Sequence, residues 1–160
     1  MTRLAALAAA AASLALMAAG PASAASKAKV RKVIEQAGLM GWWTAGDCTK
    51  APDVDNAWER FWVDETGQVF DADYEGEDGH PTYVVDARRL PNGDIRIRTE
   101  VEKGEPDLTL TYRIEGNRQR IWTSRNAEGT LVVDQGRWTN TSEVGGSIWY
   151  TRCPGPPPEP

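Results

Sequence analysis

Asp94-Ile95-Arg96-Ile97-Arg98-Thr99-Glu100-Val101-Glu102-Lys103-Gly104-Glu105-Pro106-Asp107-Leu108-Thr109-Leu110-Thr111-Tyr112-Arg113-Ile114 decides the fold. Ile95, Ile97, Thr99 and Val101 alternate with Arg96, Arg98, Glu100 and Glu102. After the turn at 103–106, Leu108, Leu110, Tyr112 and Ile114 alternate with Thr109, Thr111 and Arg113. Successive side chains of a strand point to opposite faces, so two period-two runs joined by a short turn are half-buried antiparallel strands.

The same rhythm extends both ways. Turn signals recur at 64–67, 91–94, 115–118 and 126–129, and Asn92-Gly93 has the composition of a type I′ hairpin. They delimit strands at about 40–47, 57–63, 68–74, 82–89, 94–102, 107–114, 119–125, 130–138 and 147–153. Eight or nine hairpin-linked strands make a meander, and closing it into a barrel removes its exposed edges. The expected fold is all-β: an antiparallel up-and-down barrel of about eight strands, residues 39–153, behind a short N-terminal helix. That helix, 25–38, is marked by Val30, Val33, Ile34 and Ala37 at i, i+3, i+4 and i+7, with Gly38 as its stop.

Residues 1–24 have one base, Arg3, no acid, and an Ala/Leu run from Leu4 to Gly20 that closes on Ala22-Ser23-Ala24. This is the pattern of a secretory signal cleaved after Ala24, placing the protein in the periplasm or outside the cell. The remaining 136 of the 160 residues carry a formal charge of −6, one below the whole chain's −5 because Arg3 is lost. No second long apolar run offers a membrane span, and the acidic balance speaks against nucleic acid as a partner. Residues 154–160, Pro-Gly-Pro-Pro-Pro-Glu-Pro, read as a disordered, polyproline-like tail.

In an oxidising compartment the two cysteines, Cys48 and Cys153, are expected to pair. The loop-entropy model assigns the closure of 105 residues roughly 4 to 5 kcal/mol. In a barrel the first and last strands are neighbours, so this bridge would staple the closing seam; a sandwich could also bring the two cysteines together.

The first strand opens Gly41-Trp42-Trp43 behind a short helix. This Gly-x-Trp resembles the first motif of the lipocalins, calycin-type secreted barrels in which the tryptophan packs at the closed end under an arginine late in the last strand. Trp43 and Arg152 are the matching positions. The resemblance covers the order of elements over most of the chain but few identities, and the Thr-Asp-Tyr of a late lipocalin loop has no counterpart. It implies a location and a barrel, and no activity.

Catalytic side chains are scarce. His80, the one histidine, sits in Glu77-Asp78-Gly79-His80-Pro81, which reads as exposed loop. No nucleophile motif, phosphate cradle or dinucleotide fingerprint is present, and neither a cofactor nor a catalytic residue is assigned. Asp71-Ala72-Asp73-Tyr74-Glu75-Gly76 imitates the start of a calcium loop, but its twelfth position is Thr82, so it reads as a solvated strand end and loop and no metal is assigned. The seven tryptophans are the stronger signal. Trp58 and Trp62 share one face of their strand, Phe61 and Val63 the other, and Arg120 shares parity with Trp122. The expected function is a non-enzymatic binding module holding a small hydrophobic or aromatic molecule against Trp58, Trp62, Trp122, Trp149 and Arg120. The alternative is an inhibitor or envelope accessory protein that meets a protein partner through its loops or an outer aromatic face.

Overall fold

A computed structural model describes residues 24–74, 76, 78–139 and 146–159, so the signal-like segment before Ala24 lies outside the described residues. The helix α1 (Ala24–Ala37) precedes β1 (Gly41–Thr44), β2 (Trp58–Val63), β3 (Val69–Tyr74), β4 (Gly79–Arg89), β5 (Ile95–Glu100), β6 (Pro106–Glu115) and β7 (Arg118–Arg125). They are followed by β8 (Leu131–Asp134), β9 (Arg137–Trp138) and β10 (Tyr150–Cys153). β1 to β7 pair in sequence, and β10 pairs with both β7 and β1, closing an eight-stranded antiparallel barrel. The sandwich alternative is thereby removed.

β8 and β9 are not part of the ring. β7 gives its first two residues, Arg118 and Gln119, to β10, and its last two, Ser124 and Arg125, to β8. The run expected as one strand over 130–138 is broken by Gln135 and Gly136, both at positive φ (48° and 74°), which form a two-residue hairpin turn between the paired Asp134 and Arg137. The expected type I′ turn at Asn92-Gly93 is different in kind: among its residues only Gly93 has positive φ. Pro91 fixes a negative φ at the start of that turn, leaving Gly93 alone to take the left-handed position. The first strand is also shorter than 40–47 and the last shorter than 147–153.

Gly38, at φ 75°, ends α1 as expected, and Leu39 N–H reaches back to Ile34 O at 3.1 Å. Val30 and Ile34 of α1 join Leu39, Trp43, Phe61, Val69, Val84 and Ile95 in one buried core, so the helix closes one end of the barrel with apolar side chains. Trp43 is 1 % exposed and donates its indole N–H to Leu39 O at 2.8 Å. The Arg152 guanidinium lies 5.7 Å from the Trp43 ring centroid and donates to the carbonyls of Gly38 (3.0 Å) and Met40 (2.8 Å). Arg152 thus ties the last strand, the ring and the helix exit together. Among the described residues no helix is long and apolar enough to cross a membrane.

The disulfide is formed, with Cα atoms 5.6 Å apart. Cys153 is the cross-strand partner of Trp42 at the β1–β10 seam, but Cys48 lies beyond β1 in the segment joining it to β2. The bridge therefore pins that segment to the seam; it does not join two strands. Asn56 holds the same segment from within, accepting from Asp47 N–H at 2.7 Å and from Thr44 Oγ1 at 3.2 Å.

Candidate functional site

Which side chains enter the barrel follows from register and from contacts across its lumen. Glu59 on β2 is hydrogen-bonded by Tyr112 on β6, Oη to Oε1 at 2.6 Å, and by the amide nitrogen of Gln119 on β7. Strands this far apart in the ring can meet only through the interior. Glu59, Phe61 and Val63 therefore point inward, and Trp58, Arg60 and Trp62 outward. Across β3 the inward partners of Phe61 and Glu59 are Asp71 and Asp73.

The lumen is thus divided along its length. Toward α1 it is filled with apolar side chains; toward the other end it holds Glu59, Asp71, Tyr112 and Gln119, with Asp73 exposed at the mouth. Glu59 is 3 % exposed and Gln119 0 %. Burial raises the Glu59 pKa well above the ordinary carboxyl value, and the neighbouring Asp73 charge adds to the rise against the opposing Tyr112 hydrogen bond. Asp71 is raised likewise by burial and then by Glu59 and Asp73. Burial raises the Tyr112 hydroxyl too, so it stays a donor. It has one proton. With that proton given to Glu59, its 3.4 Å contact to Asp71 Oδ2 is a hydrogen bond only when Asp71 is the protonated partner. Asp71 Oδ1 and Gln119 Oε1 are buried acceptors without a partner among the described residues.

Above this cluster a cavity of about 260 Å³ opens at the end away from α1. Glu59 and Asp73 line its polar side, while Tyr112, Ile121 and Tyr150 line its wall. Its rim carries Val54 (81 % exposed), Ile148 (56 %) and Trp138 (37 %), three of the four most exposed large apolar side chains among the described residues. Chemically the arrangement can hold a shared proton, accept several hydrogen bonds, and shelter an apolar body from water.

The tryptophans assigned to ligand binding stand elsewhere. Trp58 and Trp62 face out from β2: Trp58 is fully buried edge-on to Trp42 at 6.2 Å, and Trp62 stacks on Phe70 at 5.2 Å. Trp122 and Trp149 also lie on the outer wall, in a ladder of Arg113, Trp122, Arg120, Trp149 and Arg118 whose guanidinium carbons lie 3.5 to 5.5 Å from the ring centroids. None of the four borders the mouth cavity; only Arg120 does. Arg120 spans the gap where β7 passes from β10 to β8, with Nε bonded to Ser147 Oγ at 3.2 Å and Nη2 to Gly136 O. With Trp122 and Gly136 it also lines an outer groove of about 490 Å³.

The acidic stretch is corrected in part. Asp71 is buried in the lumen, not a solvated strand end, because its strand face opposes Phe61. His80 belongs to β4, paired with Asp73, and is exposed, so it is a strand residue where a loop was expected. Glu75 and Glu77 lie outside the described residues, and no group of three or more metal-ligating side chains occurs among the described ones. Glu59, Tyr112 and Gln119 were not singled out from sequence. The available signal was parity: Glu59 shares its face with Phe61 and Val63, and Tyr112 with Leu110. Comparison with protein-family models, with curated proteins and with solved structures returns no match, so the site is defined by its geometry.

Proposed function

We propose that this protein is an exported, non-enzymatic binding module that admits a small amphipathic molecule into the open end of its barrel. The observation that carries the reading is the cavity of about 260 Å³ with a polar floor and an apolar, exposed rim. Ligand pockets are concave and mostly apolar with a few convergent polar groups, and this volume lies near the lower end of their range. The ligand therefore meets Tyr112, Tyr150 and Trp138, in place of the four tryptophans on the outer wall. The formed disulfide supports an oxidising compartment, periplasmic or extracellular. The packing of Arg152 on Trp43 supports the lipocalin resemblance.

Native mass spectrometry of the protein purified from the exporting cell tests the reading. A retained small molecule, released on unfolding, is the expected result. A bare mass that stays bare when the protein is incubated with its own periplasmic extract would overturn it. The exposed Val54 and Ile148 favour one second reading, a protein partner seated over the mouth, which the same spectrum shows as a complex.

A further inference from the structure

The outer wall of β4 to β7 gathers arginines that the fold does not use. In register, Asp86, Arg98, Thr109 and Arg125 form one row across the four strands, and Arg88, Arg96, Thr111 and Thr123 form the next. The residues between the rows, Ala87, Ile97, Leu110 and Ser124, are buried inside, so both rows face out. Arg88 and Arg96 stand directly opposite each other, a pairing of like charges that destabilises a sheet. Arg88, Arg96 and Arg98 form no ion pair among the described residues, and no side-chain hydrogen bond there holds their guanidiniums. Asp86, the acid in these rows, faces Arg98 from beyond ion-pair distance. Arg125 commits only Nη1, to Gly129 O. In a chain of net charge −5, this is four arginines with donors to spare on one wall.

We infer that this wall binds a linear acidic polysaccharide, with its carboxylates or sulfates on Arg88, Arg96, Arg98 and Arg125 and its hydroxyls on the intervening threonines. The surface is apart from the mouth cavity, and the inference does not depend on what that cavity holds. A guanidinium is a planar fork of donors that matches the paired oxygens of an oxyanion. Neighbouring strands lie about 4.8 Å apart, so the rows run roughly 15 Å around the barrel. Thr109 separates Arg98 from Arg125, and Thr111 and Thr123 extend the row of Arg88 and Arg96. Their hydroxyls both donate and accept. A sugar chain repeats that alternation, with acidic groups set among hydroxyls. An acidic peptide carries the charges without the hydroxyls.

Curvature selects among the other polyanions. β4 and β7 are three of eight steps apart around the closed ring, so their outward directions differ by roughly 135°. A flat anionic bilayer or a stiff DNA duplex touches only part of such a wall, whereas a flexible chain follows it. Single-stranded nucleic acid adds base stacking on free aromatic rings. The ring beside these rows, Trp122, is already engaged by the guanidiniums of Arg113 (3.5 Å) and Arg120 (5.5 Å).

The test is titration calorimetry of the disulfide-bonded protein with dextran sulfate, alginate and, as the uncharged control, dextran. At least one acidic polymer is expected to bind about tenfold or more tightly than dextran, and to weaken as salt rises from about 0.05 to 0.5 M. Arg88→Gln combined with Arg98→Gln, both exposed, is expected to lose about tenfold in affinity. Lys29→Gln combined with Lys32→Gln removes the same charge from the exposed face of α1 and should change affinity by less than about twofold. Circular dichroism verifies each fold, and Arg125→Gln alone, expected to lose about threefold, replaces the arginine pair if that pair does not fold. Equal losses from the arginine and lysine variants overturn the inference, because net charge alone would then explain the binding. Dextran that binds as tightly as the acidic polymers overturns it, and so does the absence of binding by both of them. Tighter binding of poly-glutamate, single-stranded DNA or phosphatidylglycerol vesicles than of either polysaccharide overturns it as well. A small molecule retained in native mass spectrometry bears only on the mouth cavity, so the two readings fail separately.

Discussion

Glu59→Gln should make the protein more stable at alkaline pH, and the size of the gain can be worked from its contacts. In the folded chain Glu59 is 3 % exposed and receives hydrogen bonds from Tyr112 and Gln119, but no cation pairs with it among the described residues. An ionised carboxylate in such a place has an effective desolvation cost of several kcal/mol. Against this, two charge-assisted hydrogen bonds become neutral ones, a loss of about 1 kcal/mol each. The glutamine keeps an oxygen for Tyr112 and turns its amide nitrogen to Gln119, whose own amide rotates to accept. The net expectation is about 1–3 kcal/mol in favour of the variant wherever native Glu59 would be charged, a rise in melting temperature on the order of 5 °C.

The sign with pH follows from the raised folded-state pKa. Below the unfolded-chain value, about 4.3, both states are protonated and the native protein loses nothing. As pH rises past it, the unfolded chain ionises freely while the folded chain still holds its proton. Native stability therefore declines until the pH passes the folded pKa. The two proteins should be close to equal near pH 4 and diverge toward pH 8.5. Urea denaturation at pH 4, 6, 7 and 8.5, with unchanged m-value as the control on compactness, measures the difference. A variant less stable than the native protein at pH 8.5 would refute the reasoning, because ionised Glu59 would then be a net stabiliser.

Three further expectations concern the scaffold. Trp43→Ala removes a fully buried ring and its bond to Leu39 O, and should cost about 3–5 kcal/mol in denaturant titration; a loss under about 0.5 kcal/mol would mean the ring is exposed in solution. Replacing Cys48 and Cys153 together by serine should cost about 2–5 kcal/mol, and the native protein should show no alkylatable thiol by intact mass before reduction; two alkylated thiols would contradict the bridge. Gly136→Ala should lower stability by roughly 1–3 kcal/mol, since the position holds φ 74° and a Cβ there would overlap the Arg120 guanidinium; unchanged melting would show that Arg120 does not fill the seam.

The strands were legible because alternation survives wherever one face is buried. Ile95, Ile97 and Thr99 are inside as their spacing implies, and so are Leu110 and Tyr112; Val101 departs only because β5 ends at Glu100 and leaves it 53 % exposed. The face of β2 was harder to read, since both sides are apolar apart from one charge on each, Glu59 and Arg60. Tryptophan's size favoured the face carrying Trp58 and Trp62 as the inner one. The barrel turned the other way because a small lumen already holding Trp43, Phe61 and Tyr112 has no room for two more indoles, while the outer wall offers Trp42, Phe70 and Arg60 as partners. Bulges add to the difficulty. The shift between Thr111 and Tyr112 leaves Trp122 as the extra residue on β7, so simple alternation cannot be carried through that strand. The branch of β8 and β9 was marked only by Gln135-Gly136, a weaker turn signal than Asn-Gly although it forms the turn that Asn92-Gly93 was expected to form.

The division of the lumen bears on function through its cost. At the α1 end the lumen is what stability alone would choose, with Ile34, Leu39, Trp43 and Ile95 packed together, and the buried Asp94 beside Ile95 is paired with Arg113. At the open end, two buried carboxyls, Glu59 and Asp71, a tyrosine and a glutamine occupy positions whose strand neighbours include Phe61, Leu110 and Ile121. Apolar side chains there would extend the same core and remove two unpartnered acceptors. A domain with a total margin of about 5–15 kcal/mol can carry such a cluster only if other parts of the structure offset it. Here the disulfide and the Arg152 clamp stabilise the β1–β10 seam, and the apolar end anchors α1. Stability and polarity are thus placed at opposite ends of one barrel, and the polar end is the one whose cavity is open to solvent and rimmed by exposed apolar side chains. A cluster that served only to specify the fold would be complete within itself, with each acceptor matched to a donor. This one leaves the Asp71 and Gln119 acceptors unmatched among the described residues, behind the wall that Glu59 and Tyr112 present to the cavity, so fold specification alone does not account for it.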